Sequence, residues 1–299
     1  MKTGTPPSPL TFCGRTFSAE ELELMRQIAC DCSAVGVTEI ARTLCELVEW
    51  KRPSGRGKNQ ECRQLLERLQ HDGWLQLPAV RNLGPRGPRR IARTTQSEPQ
   101  PEITGVAGEL DPLILSRIEP HHVGDSRLWN ELIDRYHYLG YRVPVGAQLR
   151  YFVRSQRLGE PILACLQWSS PAWKMAPRDR WIGWNPQQRA RNLQYIVNNS
   201  RFLILPWVQV AGLASQILAR CARQLPQDWE PLYGYRPLLL ETLVDARRFS
   251  GTCYRAANWI LLGQTQGRGR MDRRHRLHDA SPKWVYVYPL CRGVQIRLR

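Results

Sequence analysis

Apolar residues recur at helical spacing in the first eighty positions of the chain. Four of them follow one another at i, i+3, i+4 and i+7, on one face of a helix: Cys62, Leu65, Leu66 and Leu69. Residues 37–47 carry a second apolar face, and Ser18 followed by Glu21 is typical of a capping box that begins another helix. The pattern therefore predicts three helices.

The segment after these helices suggests a wing. Gly73 is expected to end the third helix, and Trp74–Leu77 alternates apolar and polar residues like a short strand. Helix, loop, helix and strand predict a winged helix-turn-helix domain over residues 11–80, after a disordered leader at residues 1–10. In such a domain the second helix of the motif can enter the major groove of DNA.

The remainder of the chain has a different pattern. Residues 81–107 are basic and rich in proline and glycine, which indicates a linker without a core. Residues 108–299 alternate strands and helices and predict an α/β (α+β) domain with a mixed sheet. Its hairpin over 148–169 should be antiparallel, and its strand–helix–strand unit over 201–245 parallel. The predicted strands are 111–117, 148–154, 161–169, 201–208, 238–245 and 283–289; the predicted helices are 126–138, 186–198, 210–225 and 253–262.

Charge narrows the range of partners. The chain has 43 Lys+Arg against 26 Asp+Glu, a formal net charge of +17, which attracts polyanions. No apolar run reaches the roughly 18 residues of a membrane helix, and the first residues lack the apolar core of a signal peptide. We therefore expect a cytoplasmic protein without a membrane partner. The cysteines that fall in apolar patterns are expected to be buried free thiols rather than zinc ligands.

Candidate phosphate contacts fall in three basic segments, because arginine forks match phosphate oxygens. The linker segment is either a minor-groove arm or a flexible tether, and solvated loops are the alternative for the other two. The candidates are Lys51, Arg52, Arg56, Lys58 and Arg63 around the loop before the third helix, Arg86, Arg89 and Arg90 in the linker, and Arg268, Arg270, Arg273 and Arg274 in a glycine-rich segment.

Two carboxylates are candidates for metal-assisted catalysis. Glu241 and Asp245 lie in a very apolar strand, where a carboxylate is costly unless it is paired or bound to a metal. Four residues of strand separate them by roughly 13 Å, so a single ion would require a bulge. Mg²⁺ or Mn²⁺ would be the metal, and a buried arginine that pairs with Glu241 is the structural alternative.

Two further residues are candidates for catalysis. His137, at the end of a predicted helix, either caps that helix or acts as an acid, base or ligand. Tyr254 opens a predicted helix and either attacks a phosphodiester or packs in the core.

The order of elements over residues 110–265 is similar to the acyltransferase fold that uses coenzyme A. Gln209–Ala214 matches the loop that holds the pyrophosphate in that family. Trp259, however, stands where the family has the tyrosine that protonates the thiolate, and an indole is no such acid. The resemblance therefore implies the shape of the fold, and coenzyme A is not the expected cofactor.

A second resemblance covers nearly the whole chain. Its motifs include Tyr136–Gly140, Ile182–Trp184, Asn198–Trp207, Glu241–Asp245 and Gly251–Trp259. Together with the Cys62–Pro78 segment they resemble the protein A family of the Druantia anti-phage system, whose relatives include transposase-like proteins. This resemblance implies DNA, single- or double-stranded, as the partner, with proteins of a defence system or mobile element besides; a homodimer is a further option.

We therefore expect a DNA-binding and DNA-processing protein. Strand cleavage would be metal-assisted through Glu241 and Asp245 or covalent through Tyr254. Two alternatives remain at this point: a non-catalytic nucleic-acid-binding module that recruits an enzyme, and a coenzyme A-dependent acyltransferase.

Overall fold

The structure is a computed structural model that describes residues 9–31, 36–53, 55–78, 91–119, 121–142, 146–265 and 281–299. The chain divides into two compact units, which we describe separately. The first comprises residues 1–89, 185–194 and 229–235, and the second comprises residues 90–184, 195–228 and 236–299. The sequence pattern did not predict that the two later segments belong to the first unit.

The helices and strands of the described residues are numbered in chain order. The strands are β1 (Leu10–Phe12), β2 (Arg15–Phe17), β3 (Ile103–Val106), β4 (Leu113–Arg117), β5 (Gln148–Ser155), β6 (Ile162–Ser169), β7 (Ile196–Ile204), β8 (Val208–Ala211), β9 (Leu239–Asp245), β10 (Ile260–Gln264) and β11 (Lys283–Pro289). The α-helices are α1 (Ala19–Asp31), α2 (Val37–Leu47), α3 (Asn59–His71), α4 (Val123–Tyr136), α5 (Ala176–Ile182), α6 (Pro186–Asn192), α7 (Leu213–Tyr233), α8 (Thr252–Ala256) and α9 (Val294–Arg297).

The three predicted helices of the first unit are confirmed as α1, α2 and α3. The capping box before α1 is formed: the Ser18 N–H donates to Glu21 Oε2 at 3.0 Å, and the Glu21 N–H donates to Ser18 Oγ at 3.2 Å. The apolar faces of α2 and α3 are buried, including the predicted Cys62, Leu65, Leu66 and Leu69. Burial of these faces against each other stabilises the pair of helices.

The predicted wing strand at Trp74–Leu77 is wrong. Leu75 and Leu77 are buried and Gln76 is exposed, so the alternation reports burial correctly. A strand also needs a hydrogen-bonding partner, and the described residues of this unit give the segment none; the Trp74 N–H instead bonds to Leu69 O at 3.0 Å. Gly73 ends the helix with a φ of +77°, as predicted. The hairpin of this unit, β1–β2, precedes the helices.

The second unit contains the predicted mixed sheet. Among the described residues, seven strands follow the order β10-β11-β9-β7-β6-β5-β4, and of these pairs only β7–β9 is parallel. The antiparallel hairpin β5–β6 and the parallel pair joined through α7 are both as predicted. A separate parallel pair, β3–β8, was not predicted. Four cysteines lie buried as free thiols, as expected: Cys45, Cys62, Cys165 and Cys221.

Two predicted helices are too long. The helix predicted over 186–198 ends at Asn192, and residues 196–204 form β7 rather than the strand predicted over 201–208. The helix predicted over 253–262 ends at Ala256, because Asn258 adopts a left-handed φ of +62° and residues 260–264 then pair with β11. In both places long-range strand pairing overrides local helical periodicity.

The strands β7 and β9 separate part of the way along the sheet. They pair from Ile196–Leu239 as far as Asn199–Thr242. Beyond that point β7 continues along β6 to Ile204, and β9 continues along β11 to Asp245. The divergence opens the sheet after Asn199 and Thr242, and the candidate site lies in this opening.

Candidate functional site

A cavity of about 470 Å³ fills the opening between β7 and β9. Its walls come from the residues after α4 (137–139), from β7, from β9 and the following turn to residue 254, and from Ala214 at the start of α7. Three of the four predicted catalytic residues line it: His137, Asp245 and Tyr254. The volume lies in the range of small-molecule sites.

Three hydrogen-bonded side chains form the floor of the cavity. Tyr254 Oη donates to Asn199 Oδ1 at 2.8 Å, and Thr242 Oγ1 donates to Asn199 O at 3.1 Å. Asn199 Nδ2 donates to the carbonyl oxygens of Gln167 and Arg201 at 3.2 and 3.1 Å. With these donors used, the floor offers mainly lone pairs of oxygen to a ligand.

The geometry does not support Tyr254 as a nucleophile. The side chain is 6 % exposed, stacks on Tyr286 at 5.6 Å between ring centroids and meets Trp259 edge-on at 5.1 Å. Burial raises the pKa of Tyr254 above its ordinary value, although the hydrogen bond with Thr242 acts in the opposite direction. A phenol that is held neutral and already donates to Asn199 is suited to hydrogen bonding rather than to attack.

His137 presents a neutral imidazole. Its backbone N–H caps α4 by bonding to Ile133 O at 3.0 Å, while its ring Nδ1 accepts the Leu139 N–H at 3.2 Å. Burial, with the positive charge of Arg201, lowers the pKa of His137 to about 4. The neutral ring therefore carries its proton on Nε2. His137 is therefore the C-cap residue of α4, which is the structural alternative that the sequence left open.

Aromatic and cationic side chains form the rim. The rings of Tyr138 and Phe249 lie 5.6 Å apart, with 37 % and 52 % of each residue exposed. Arg248 covers Tyr138, with Cζ 5.1 Å from the ring centroid, and its Nε lies 4.0 Å from Asp245 Oδ2. Asp245 also accepts the Arg247 N–H at 3.0 Å.

Arg201 is the second cation of the cavity. Its Nε donates to Gly140 O at 3.2 Å and its Nη1 donates to Ser200 O at 2.7 Å. These two carbonyls fix the guanidinium, which is partly buried, and burial lowers the pKa of Arg201 from its usual high value. The two arginines outnumber the single carboxylate Asp245, so the cavity favours an anionic ligand.

Glu241 lies on the opposite face of β9 from Thr242 and is absent from the walls of the cavity. Its side chain has no exposed surface, and Oε2 accepts Arg178 Nη1 at 3.0 Å. The structure thus contains the buried arginine pair that the sequence left open as an alternative. The predicted catalytic and metal roles of Glu241 lack support, because its carboxylate is buried against Arg178 and does not reach the cavity that Asp245 lines. The described residues contain no cluster of three or more His, Cys, Asp and Glu that could hold a metal ion.

The predicted cations near α3 divide into two groups. Arg52 is largely buried and donates to both oxygens of Glu61 at 2.9 and 3.0 Å, while burial lowers the pKa of Lys58. Lys51 and Arg56 are exposed. Arg63 is exposed as well, and its Nε donates to Glu67 at 3.0 Å.

Lys51 also borders a recess of about 480 Å³ beside the loop, together with Arg42, Glu46 and Asn59. The remaining predicted cations lie outside the described residues: Arg86, Arg89, Arg90, Arg268, Arg270, Arg273 and Arg274.

The loop that resembles a pyrophosphate site has the predicted location. Val208–Ala211 form β8, Gly212 has a φ of +77°, and α7 begins at Leu213. Trp259 is 4 % exposed and packs among Trp168, Tyr254 and Tyr288. An indole packed in this way supplies no proton. Trp259 therefore cannot replace the tyrosine that protonates the thiolate in the acyltransferase family.

Sequence reasoning missed Asn199, Thr242, Arg201 and Phe249 as parts of the site. Asn198-Asn-Ser-Arg201 falls within a quoted motif, but the preceding residues were assigned to a helix. The available signal was the polar Asn-Asn-Ser run inside an apolar β-branched stretch, which is unusual for a buried strand.

Comparisons with known proteins give a family and a set of distant folds. The family model described as Druantia protein DruA matches residues 68–296. No curated protein matched the sequence significantly. Two crystal structures from Vibrio cholerae are similar: spermidine/spermine N-acetyltransferase SpeG with manganese ions, and spermidine N-acetyltransferase with CoA and spermine.

Their identities to this chain are 10 % and 11 %, they cover 61 % and 60 % of it and 95 % of their own chains, and both TM-scores are 0.39. In the described part of the chain, none of the helices has the length and apolar character that a membrane span requires.

Proposed function

Since this chain belongs to the family of Druantia protein DruA, we propose that it acts in anti-phage defence by binding DNA through its first unit. The observation that carries this proposal is the loop between α2 and α3, which holds two exposed cations, Lys51 and Arg56, next to the start of α3. Within the described ranges neither cation forms an ion pair, so both are free to contact phosphate.

Backbone hydrogen bonds constrain the described residues of this loop. An antiparallel bridge joins Lys51 and Gly57, the Arg52 N–H bonds to Arg56 O at 2.8 Å, and the Lys58 N–H bonds to Trp50 O at 2.9 Å. Trp50 is buried edge-on against Phe17 at 4.8 Å. Fixed backbone keeps the two cations in place, which reduces the entropy lost on binding.

These contacts indicate which cations of the loop are available to phosphate. Arg52 is paired with Glu61, and its Cζ lies 5.2 Å from the centroid of the Tyr233 ring. We therefore assign it to stabilising the loop and not to contacting DNA. Lys51 and Arg56 supply positive charge, and the nearby N-terminus of α3 adds free N–H groups. Phosphate contacts of this kind position a protein on DNA without reading its sequence.

Binding to a labelled duplex at several salt concentrations tests the proposal. We expect Lys51→Ala and Arg56→Ala each to weaken binding and to reduce the salt slope by about 1. Arg127→Ala is the matched control, because Arg127 is an exposed arginine of α4. Equal losses in all three variants would contradict the assignment to the loop.

Binding rather than cleavage is the activity that the side chains support best. Glu241 is buried in an ion pair, and Tyr254 is a neutral hydrogen-bonded phenol. We therefore expect labelled DNA to remain intact on a denaturing gel with Mg²⁺ or Mn²⁺, and no covalent adduct on a protein gel. Metal-dependent cuts that Asp245→Asn abolishes would replace this proposal with a nuclease.

A further inference from the structure

The cavity between β7 and β9 takes no part in the phosphate contacts proposed for the loop. We propose that this cavity receives one unpaired nucleotide, with its base against Tyr138 and Phe249 and its phosphate near Arg201 and Arg248. The inference rests on the proposed function in so far as the nucleotide belongs to a DNA strand.

The rim provides a surface for stacking a base. Phe249 and Tyr138 are partly exposed aromatic residues at one cavity mouth, 5.6 Å apart. A single exposed ring is ordinary on a protein surface, but here two exposed rings adjoin each other beside two arginines, and unpaired bases stack on such rings irrespective of sequence. Arg248 Cζ lies 5.1 Å and the His137 ring 4.9 Å from the centroid of Tyr138, so Phe249, the more exposed ring, provides the main stacking surface.

The charges suit a phosphate beside that base. Arg201 is fixed by two carbonyl oxygens at the cavity wall, and Arg248 reaches the rim with more than half of its side chain exposed. Among the described residues that line the cavity, the carboxylate is Asp245, which is partly neutralised by Arg248 and by the Arg247 N–H. His137 is neutral, so the positive charge of the site comes from the two arginines.

The floor predicts which bases are preferred. Thr242 Oγ1 and Tyr254 Oη both donate their protons to Asn199, so their oxygen lone pairs are what they present to the cavity. Exocyclic amino groups of adenine and cytosine are donors, whereas thymine offers the acceptor O4 at the matching edge. We therefore infer that an unpaired adenine or cytosine binds more tightly than an unpaired thymine.

The test compares a duplex that carries one unpaired adenine with the fully paired duplex and with an unpaired thymine at the same position. We expect wild type to prefer the unpaired adenine and Phe249→Ala to reduce that preference by about five- to a hundredfold. Phe249→Trp should retain it. Leu158→Ala, which removes another exposed apolar side chain, is the control and should leave it unchanged.

A free nucleotide would make the same contacts in this cavity as an unpaired nucleotide within a DNA strand. Titration of 5′-dAMP into wild type and Phe249→Ala separates the two sources. Preference among the duplexes that depends on Phe249 supports a nucleotide within a strand. Binding of dAMP that depends on Phe249, with equal affinity for all duplexes, supports a free nucleotide. Neither effect in folded protein would overturn the inference.

The two proposals fail in different ways. Lys51→Ala should weaken binding to the paired and unpaired duplexes by the same factor, because the loop contacts phosphates only. An unchanged affinity in Lys51→Ala would refute the loop assignment and leave the Phe249 result standing. An unchanged preference in both Phe249→Ala and Tyr138→Ala would refute the cavity assignment and leave the loop result standing.

Discussion

Replacement of Arg178 by methionine tests whether Glu241 is structural. Arg178 has no exposed side-chain surface; its Nη1 donates to Glu241 Oε2 at 3.0 Å, and its Nη2 donates to Asp179 Oδ1 at 2.8 Å. R178M leaves the Glu241 carboxylate buried without a counter-charge, which typically costs about 3–5 kcal/mol. In a protein of this size that corresponds to a decrease of roughly 6–20 °C in Tm.

A double-mutant cycle separates the interaction energy of Arg178 and Glu241 from the effect of each single substitution. Glu241→Gln keeps an oxygen for Arg178, which still holds Asp179, so it should cost no more than about 2 kcal/mol. The double variant R178M/Glu241→Leu removes both charges and should recover most of the stability lost in R178M. The single variant Glu241→Leu completes the cycle, and chemical denaturation of wild type, R178M, Glu241→Leu and R178M/Glu241→Leu at one pH gives the coupling energy.

The pH dependence provides a second check on the same pair. Burial raises the pKa of Glu241 above its ordinary value, and Arg178 opposes that rise. The folded state then holds the proton more tightly than the unfolded chain, so the loss of stability in R178M should grow as pH rises above the ordinary glutamate pKa. A loss below about 1 kcal/mol in R178M, or none of it recovered in the double variant, would refute the reasoning.

Three further outcomes follow from the contacts. Tyr254→Phe removes the 2.8 Å donor to Asn199 and should lower the free energy of unfolding by about 1 kcal/mol while loop-dependent DNA binding persists; loss of that binding in folded protein would argue against a floor role. His137, whose pKa falls to about 4 from an ordinary value of 6.5, should make stability decrease as pH falls from about 6.5 towards 4, and a flat profile in wild type or an unaltered slope in His137→Asn would disagree. Arg52→Ala breaks the ion pair with Glu61 and should cost about 2 kcal/mol, with the salt slope of any remaining DNA binding unchanged.

Local sequence determined the parts of the fold that were predicted correctly. The Ser18–Glu21 capping box involves residues three apart, and the buried face from Cys62 to Leu69 depends only on helical period. The parallel β7–β9 pair follows from strand–helix–strand order. By contrast, residues 196–198 continued a helical pattern and became strand because β9, forty residues later, pairs with them.

The candidate site was harder to predict because its parts meet only through tertiary structure. His137, Asp245 and Tyr254 were singled out by residue type, and the structure brings them to one cavity. Asn199 and Thr242 become neighbours through the register of β7 and β9, which no single segment encodes. Tyr138 and Phe249 are more than a hundred residues apart in the chain, and their contact gave no local signal.

The salt dependence of duplex affinity for wild type and for the Lys51→Ala/Arg56→Ala variant tests DNA binding by the loop most directly. Two lost phosphate contacts should reduce the slope of log affinity against log salt by about 2, with unchanged Tm. Arg127→Ala should keep the wild-type slope. A double variant with the wild-type slope, or a wild type whose DNA affinity is insensitive to salt, would contradict the assignment of Lys51 and Arg56 to DNA.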